Sequence, residues 1–126
     1  MLTLSIDPLV FPIAEQSTGT YTATLVGNDG VTPLPAATLL TLTLTLYVTK
    51  ADGTDQLIRN HQNVLNLNNV TVSAGGLLTW TVQTTDTQLI EALPVERHIA
   101  LFEWTWAGGA GKHEVVLAVK NLRQVV

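Results

Sequence analysis

Side chains that could catalyse a reaction or hold a metal are few and widely spaced in this chain. There are three histidines, at positions 61, 98 and 113, and no cysteine among 126 residues. Zinc sites built from a short motif place two ligands within a few residues of each other, and no two of these histidines are that close. His98 and His113 fall at opposite ends of one predicted hairpin, too far apart to share a metal. We therefore expect surface or strand-end histidines, no metal and no other cofactor.

The carboxylates also form no recognisable catalytic pattern. Asp29, Asp52 and Asp55 lie in or beside turns, where Asp commonly bonds to the backbone, and no Asp-rich calcium loop is present. The run Gly108–Gly111 lacks a following helix that could bind phosphate, and no nucleophile elbow occurs. A small hydrolase or metal enzyme would need a clustered acid, base or nucleophile. We expect no catalytic residues, and the chain is interpreted as non-enzymatic.

Alternation between apolar and polar residues predicts the elements that would position these side chains. Residues 97–120 predict one β-hairpin whose first arm carries an aromatic row and whose second arm carries an aliphatic row. With Gly108–Gly111 as the loop, we expect Trp104 to face Val115 and Phe102 to face Leu117, so that both rows share a core face. The opposite face is also rather apolar, which indicates covering by another strand, a subunit or a partner.

Similar alternation recurs along the rest of the chain. Its clearest case predicts a strand in which Leu40, Leu42, Leu44, Leu46 and Val48 face the core. Residues 85–94 predict one turn of helix. Counting the candidates gives about seven to nine short strands, which is typical of an antiparallel β-sandwich, and we expect residues 1–126 to form a single all-β domain. The other predicted strands lie at 2–6, 21–26, 31–35 (an edge strand), 55–59, 70–72 and 77–82.

The first 19 residues are predicted to form an extended N-terminal arm. Pro8 and Pro12 exclude this segment from a central strand, since proline lacks the ladder donor. Leu9, Phe11 and Ile13 are nevertheless too apolar to remain solvated. Two alternatives stay open: the arm docks on a neighbouring subunit by strand addition, or it docks on its own sandwich.

Composition narrows the classes of partner. The net charge is -4 with only six basic residues, which argues against nucleic acid because phosphate binding needs clustered Lys and Arg. No apolar run approaches the roughly 18 residues of a membrane-spanning helix, and the N-terminus lacks the basic region of a signal peptide. The sequence therefore predicts no membrane partner and no standard secretion signal.

The order of several segments resembles small Ig-like virion proteins of tailed bacteriophages. The segments are the Leu- and Thr-alternating strand, Lys50–Gly53, Gly76–Trp80, Thr85–Thr87, Phe102–Trp104 and the Gly-rich hairpin tip. They span about residues 20 to 120 and are similar in order to the N-terminal domain of phage baseplate upper proteins. The baseplate upper proteins continue into a C-terminal extension, which this sequence does not have after Val126. The resemblance therefore does not imply a baseplate role.

That resemblance implies an Ig-like sandwich in a virion, assembled in the host cytoplasm and bound to capsid or tail subunits or to further copies of itself. We expect a capsid decoration or head-to-tail accessory protein. The alternatives are a baseplate or tail component, or a carbohydrate-binding or adhesive module, which would require Trp80, Trp104 or Trp106 to be exposed. The residues expected near a partner are Leu9, Phe11, Ile13, Leu101, Trp106 and Val116.

Overall fold

A computed structural model describes residues 9–91 and 94–121 of the chain, and only the backbone of residues 9–11. The predicted strand at residues 2–6 lies outside this range. Within it, eight strands alternate with turns, and a short 3₁₀ helix covers Ala36–Thr38. The strands are β1 Leu9–Ala14, β2 Gly19–Thr24, β3 Leu39–Thr49, β4 Asp55–Asn63, β5 Val70–Val72, β6 Leu77–Val82, β7 Val95–Trp106 and β8 Gly109–Lys120.

The strands form two sheets that pack face to face. One sheet has the order β1-β8-β7-β3-β4 and the other β2-β6-β5. Lettered from β2 as strand B, the second sheet reads B-E-D, and the first contains G-F-C with C′ added, which is the strand order of immunoglobulin domains. All pairs are antiparallel except β1 with β8. The predicted all-β, Ig-like sandwich of about seven to nine strands is therefore confirmed.

The core lies between the two sheets and follows the predicted alternation. Trp80 on β6 and Phe102 on β7 are both fully buried, and their rings meet edge to face with centroids 5.6 Å apart. This contact joins the two sheets through the preferred aromatic geometry. Leu78, Trp80 and Val82 of β6 face the core, and the predicted core positions of Phe102 and Trp104 are confirmed.

The hairpin register differs from the predicted one, although its core face is correct. Ala107 and Gly108 form the turn, so that Phe102 pairs with His113 and Ala100 with Val115. The displacement is an even number of residues and leaves each side chain on the predicted face. A glycine inside β8 explains the shorter turn: a Cβ at Gly111 would lie 2.5 Å from Cε2 of Trp104. Gly111 therefore serves the packing of Trp104 and does not belong to the loop.

Leu40 was expected in the core but is 65% exposed. The pairing of β3 with β7 shifts between Leu39 and Thr41, which marks a bulge. A bulge inserts one extra residue and reverses the faces on one side of it. Leu39 therefore takes the buried position, while Leu42, Leu44, Leu46 and Val48 face the core as predicted.

Part of the predicted arm forms a strand of its own sandwich. β1 pairs in parallel with β8 at the edge of the five-stranded sheet, with Leu9 opposite Val115 and Ile13 opposite Val119. An edge position agrees with the proline at position 12. Of the two alternatives for the arm, residues 9–14 follow the one in which it docks on its own domain.

Two other predicted elements are replaced by turns. The expected edge strand at 31–35 contributes only an isolated bridge between Val26 and Pro33. The described part of 85–94 contains turns and bends but no helix. Asp86 does not cap a helix here: its carboxylate accepts the N–H of Gln83 and pairs with Arg59. An ion pair to another strand thus holds the segment in its turn conformation.

Candidate functional site

A group of four charged or titratable residues, called here the polar cluster, lies near one end of the sandwich. It consists of Arg59 on β4, Asp86 in the loop after β6, and Glu96 and His98 on β7. Arg59 Nε donates to Asp86 Oδ1 at 2.8 Å and Nη2 to Oδ2 at 2.7 Å. The two side chains are only 8% and 2% exposed. This two-pronged geometry is the strong form of an arginine–carboxylate pair.

Arg59 also ties the neighbouring loop to β4. Its Nη1 donates to Oε1 of Gln62 at 3.0 Å and to the backbone oxygen of Asn68 at 2.9 Å. The guanidinium carbon lies 5.8 Å from the ring centroid of Trp80, within range of a cation–π contact. Every nitrogen of the guanidinium thus has a protein partner. Arg59 acts as a structural anchor and is not free to bind an anion.

His98 and Glu96 form a second pair directly behind Asp86, and both side chains are fully buried. His98 Nδ1 lies 2.9 Å from the backbone oxygen of Asp86, and Nε2 lies 3.0 Å from Oε1 of Glu96. A carbonyl oxygen only accepts, so Nδ1 carries a hydrogen and donates it to Asp86, while Nε2 faces the carboxylate of Glu96. The carboxylate also accepts the N–H groups of Ile90 and Glu91, at 2.8 and 2.6 Å.

For His98, these contacts correct the expectation of a histidine on the surface or at a strand end, whereas His61 is exposed as expected. His98 is 0% exposed and holds the loop after β6 against β7. The alternation of β7 carried the signal for this burial, because residues 96 and 98 continue the inward row of Ala100, Phe102 and Trp104. Extending that row would have predicted buried positions for Glu96 and His98. Shielded from solvent, the His98–Glu96 pair cannot reach a dissolved substrate. Its geometry serves to position the loop.

An open cleft of about 240 Å³, called here the polar cleft, lies beside the polar cluster. Asn68 and Asn69, in its wall, both have left-handed backbone, with φ of 54° and 73°. Asn tolerates this conformation better than most residues. The cleft is lined by Ile58, Arg59, Gln62, Asn68, Asn69, Gln83, Thr85 and Asp86. These residues come from three separated segments, so no local motif in the sequence could have identified them.

His113 makes a polar contact between the two sheets. Its Nε2 is hydrogen-bonded to the hydroxyl of Tyr21 on β2, and the two rings are nearly parallel with centroids 5.9 Å apart. Burial lowers the pKa of His113 and raises the pKa of Tyr21 to about 12. A neutral imidazole and a neutral phenol are therefore the favoured forms at neutral pH. This pair joins β2 to β8 without a charge.

The outer face of the five-stranded sheet, turned away from the three-stranded sheet, carries an apolar row. Leu57 pairs with Tyr47, Tyr47 with Ile99, and Ile99 with Val116, so the row crosses β4, β3, β7 and β8. Leu57 is 48% exposed, Tyr47 and Ile99 are half-buried, and Val116 is 1% exposed. Leu101, also half-buried, lies on the same face between Thr45 and Glu114.

The residues predicted to contact a partner fall into two groups. Leu101 and Val116 share the outer face, but Val116 is buried and offers little surface. Trp106 lies on the opposite, core-facing side of β7, half-buried at the hairpin tip. Ile13 is half-buried and packs against the core, and Leu9 and Phe11 take register positions opposite Val115 and Leu117. The structure therefore does not bring the six residues together on one surface.

The described residues contain neither a cluster of metal ligands nor a membrane-spanning helix. Residues 9–91 and 94–121 contain no group of three or more His, Asp or Glu side chains placed to hold a metal ion. No helix in the same ranges is long and apolar enough to cross a bilayer.

Comparisons with known proteins return structures but no family. No family model matches the chain, and no curated protein sequence matches it. The I-band fragment I67–I69 from titin is similar over 90% of this chain, with 11% identity and a TM-score of 0.45. This chain spans only 30% of that fragment.

Two further structures cover more of their own length. A chimeric titin Z1Z2 is 16% identical, with a TM-score of 0.44, and covers 92% of this chain and 91% of its own. The Ig-like domain of human Leucine-rich repeat-containing protein 4 is 12% identical, with a TM-score of 0.40, and covers 96% and 95%. The Ig-like assignment given above depends on strand order, and these similarities add no function to it.

Proposed function

We propose that this chain is a non-enzymatic binding module that attaches to other protein subunits through the outer face of its five-stranded sheet. The apolar row from Leu57 to Val116 is the observation that supports this proposal most directly. A sheet face that stays in water usually alternates polar residues outward. Here Leu57, Tyr47, Ile99 and Leu101 share that face, and their exposed parts would gain from being covered.

The rim of the outer face is charged, as in many protein contacts. Glu103 lies 3.6 Å from Lys112 and 3.8 Å from His61, and its side chain is 29% exposed. Glu114 lies beside Leu101 on the same side of the sheet. An apolar centre within a rim of both charge signs suits a specific protein contact better than a contact with a polyanion.

The resemblance to Ig-like virion proteins supports a particular setting for this binding. We propose a structural role in the virion of a tailed phage, as a capsid decoration or head-to-tail accessory subunit. Such a role needs a rigid shape and complementary surfaces. The eight described strands form a packed sandwich of rigid shape, and its buried polar cluster fixes one loop in place. The outer face offers an apolar surface that a partner could cover.

A carbohydrate-stacking role for the tryptophans gains no support. Trp80 is 0% and Trp104 5% exposed, so neither ring presents a face to solvent. Trp106 is half-buried against the core. Stacking on a sugar would need an open aromatic face.

Two matched leucine variants test the proposed outer face. Leu57, on the outer face, is 48% exposed, and Leu77, on the three-stranded sheet, is 43% exposed. We expect Leu57→Asp to abolish self-association or binding to purified capsids or tails, because it places a charge in the apolar row. Leu77→Asp should leave both unchanged. Sedimentation velocity and co-sedimentation measure these outcomes.

Two results would contradict the proposal. The first is a wild-type chain that stays monomeric at high concentration and binds neither capsids nor tails. The second is an equal loss of binding in both variants, which would show that the outer face has no special part. Circular dichroism of both variants verifies that they are folded.

A further inference from the structure

We propose that the polar cleft binds one residue of a neutral saccharide, independently of the outer face. The cleft combines amide and hydroxyl side chains with a charge-balanced ion pair, and its walls are fixed by hydrogen bonds.

The cleft offers hydrogen-bonding groups that the protein leaves unused. Gln62 accepts a hydrogen bond from Arg59 through Oε1, and Gln83 donates through Nε2 to the backbone oxygen of Thr81. Within the described part of the chain, the NH₂ group of Gln62, the side-chain oxygen of Gln83 and the hydroxyl of Thr85 have no protein partner. The cleft therefore presents both donors and acceptors. A sugar hydroxyl, which donates and accepts at once, complements such a mixture.

The charges of the cleft exclude most other small ligands. Among the described residues that line the cleft, only Arg59 and Asp86 are charged, and they are paired with each other at 2.7 Å. An anion would need a free cationic donor, and a cation would need a free carboxylate. Ile58 is the one apolar residue in the described part of the lining, which offers an anchor side chain of a peptide little apolar surface. A neutral polyhydroxylated ring remains the best match.

The size and rigidity of the cleft favour a single ring. Its volume of about 240 Å³ lies just below the roughly 300–1,000 Å³ of pockets for drug-sized ligands. Asn68 Nδ2 donates to the backbone oxygen of Asn63 at 2.8 Å, and Asn66 Oδ1 accepts the N–H of Val72 at 2.7 Å. These bonds fix the Asn-rich wall before any ligand arrives. Pre-set walls reduce the ordering cost of binding.

A titration with methyl glycosides tests this proposal. The ¹⁵N-labelled chain is titrated to millimolar concentration with the methyl glycosides of glucose, galactose, mannose and N-acetylglucosamine, and the side-chain NH₂ signals are followed. We expect at least one glycoside to shift the signals of Gln62, Asn69 and Gln83 in a saturable way. The signals of Gln56, which is exposed on the same strand as Gln62 but outside the cleft, should stay in place.

Two variants connect the shifts to the cleft. Gln83→Ala and Thr85→Ala should each weaken the affinity about fivefold, which is the effect of one lost hydrogen bond. Gln56→Ala should leave the affinity unchanged. The backbone spectrum of each variant shows whether it is folded. If Gln83→Ala does not fold, Thr85→Ala still tests the cleft, because the Thr85 hydroxyl has no partner in the described structure and its loss should not disturb the fold.

The proposal is overturned if none of the glycosides shifts the cleft signals. It is equally overturned if the shifts persist with the same affinity in folded Gln83→Ala and Thr85→Ala. Neither result depends on whether the outer face binds a protein subunit, so the two proposals fail separately.

Discussion

The ion pair of Arg59 and Asp86 should be the polar contact whose loss most destabilises the domain. In Asp86→Ala the guanidinium stays buried at 8% exposure without its carboxylate, and the N–H of Gln83 loses its acceptor. Removing one partner of a buried pair costs about 3 to 5 kcal/mol, since it leaves an uncompensated charge. That is a large part of the roughly 5 to 15 kcal/mol by which a domain is stable.

Urea denaturation followed by tryptophan fluorescence measures this loss. The ring centroid of Trp80 lies 5.8 Å from the guanidinium carbon of Arg59, so the emission of Trp80 reports on the region of the ion pair. Asp55→Ala serves as the control, because Asp55 is exposed and its carboxylate accepts the Thr49 hydroxyl and no other hydrogen bond within the described residues. The control should remain close to the wild type.

A double-mutant cycle separates the pair from its surroundings. Arg59→Met alone leaves a buried carboxylate, whereas Arg59→Met combined with Asp86→Leu removes both charges and fills the volume. The double variant should recover much of the lost stability, because apolar replacements of buried pairs are often tolerated. A loss below about 1 kcal/mol in Asp86→Ala, or strict additivity in the double variant, would refute the reasoning.

Packing and titration supply the remaining predictions. Gly111→Ala should lower the free energy of unfolding by about 1 to 3 kcal/mol, because the added Cβ would lie 2.5 Å from a ring carbon of Trp104. Gly75→Ala is the control, since the nearest atom to its Cβ would be 3.8 Å away. Burial lowers the pKa of His113 below 6.5, so the unfolded chain takes up its proton first and stability should fall as the pH drops below 6.5. Burial raises the pKa of Tyr21 from 10.0 to about 12, so the unfolded chain loses its proton first and stability should fall above pH 10. Urea midpoints across pH measure both effects. Burial also raises the pKa of Tyr47, so folded Tyr21→Phe should show a smaller alkaline loss than the wild type without abolishing it. An unchanged alkaline loss in that variant would show that Tyr21 does not cause it.

The faces of the strands could be predicted from the sequence because burial of one face imposes a period of two. Leu42, Leu44 and Leu46 on β3 follow this rule, as do Leu78 and Trp80 on β6. The number and spacing of these segments likewise predicted a β-sandwich, and the resemblance implied its Ig-like type.

The strand register and the polar contacts could not be predicted from the sequence. The register depends on how large side chains pack against the neighbouring strand, and the polar contacts join residues far apart in the chain. The hairpin turn is set by the ring of Trp104 lying over Gly111, and Leu40 is displaced by a bulge. The pair of Arg59 and Asp86 joins residues 27 positions apart, which no spacing rule connects. The polar cleft depends on the same long-range contact.

Thiol labelling tests the central claim about the outer face most directly. The chain contains no cysteine, so Leu57→Cys or Leu77→Cys introduces a single thiol at a surface that is 48% or 43% exposed in the wild type. Each folded variant is labelled with maleimide, first as a dilute chain and then bound to capsids or tails or self-associated. We predict that the thiol of Leu57→Cys reacts in the dilute chain and is protected in the assembly, while that of Leu77→Cys reacts in both. Equal reactivity of Leu57→Cys in the two states would contradict the claim that the outer face is the binding surface.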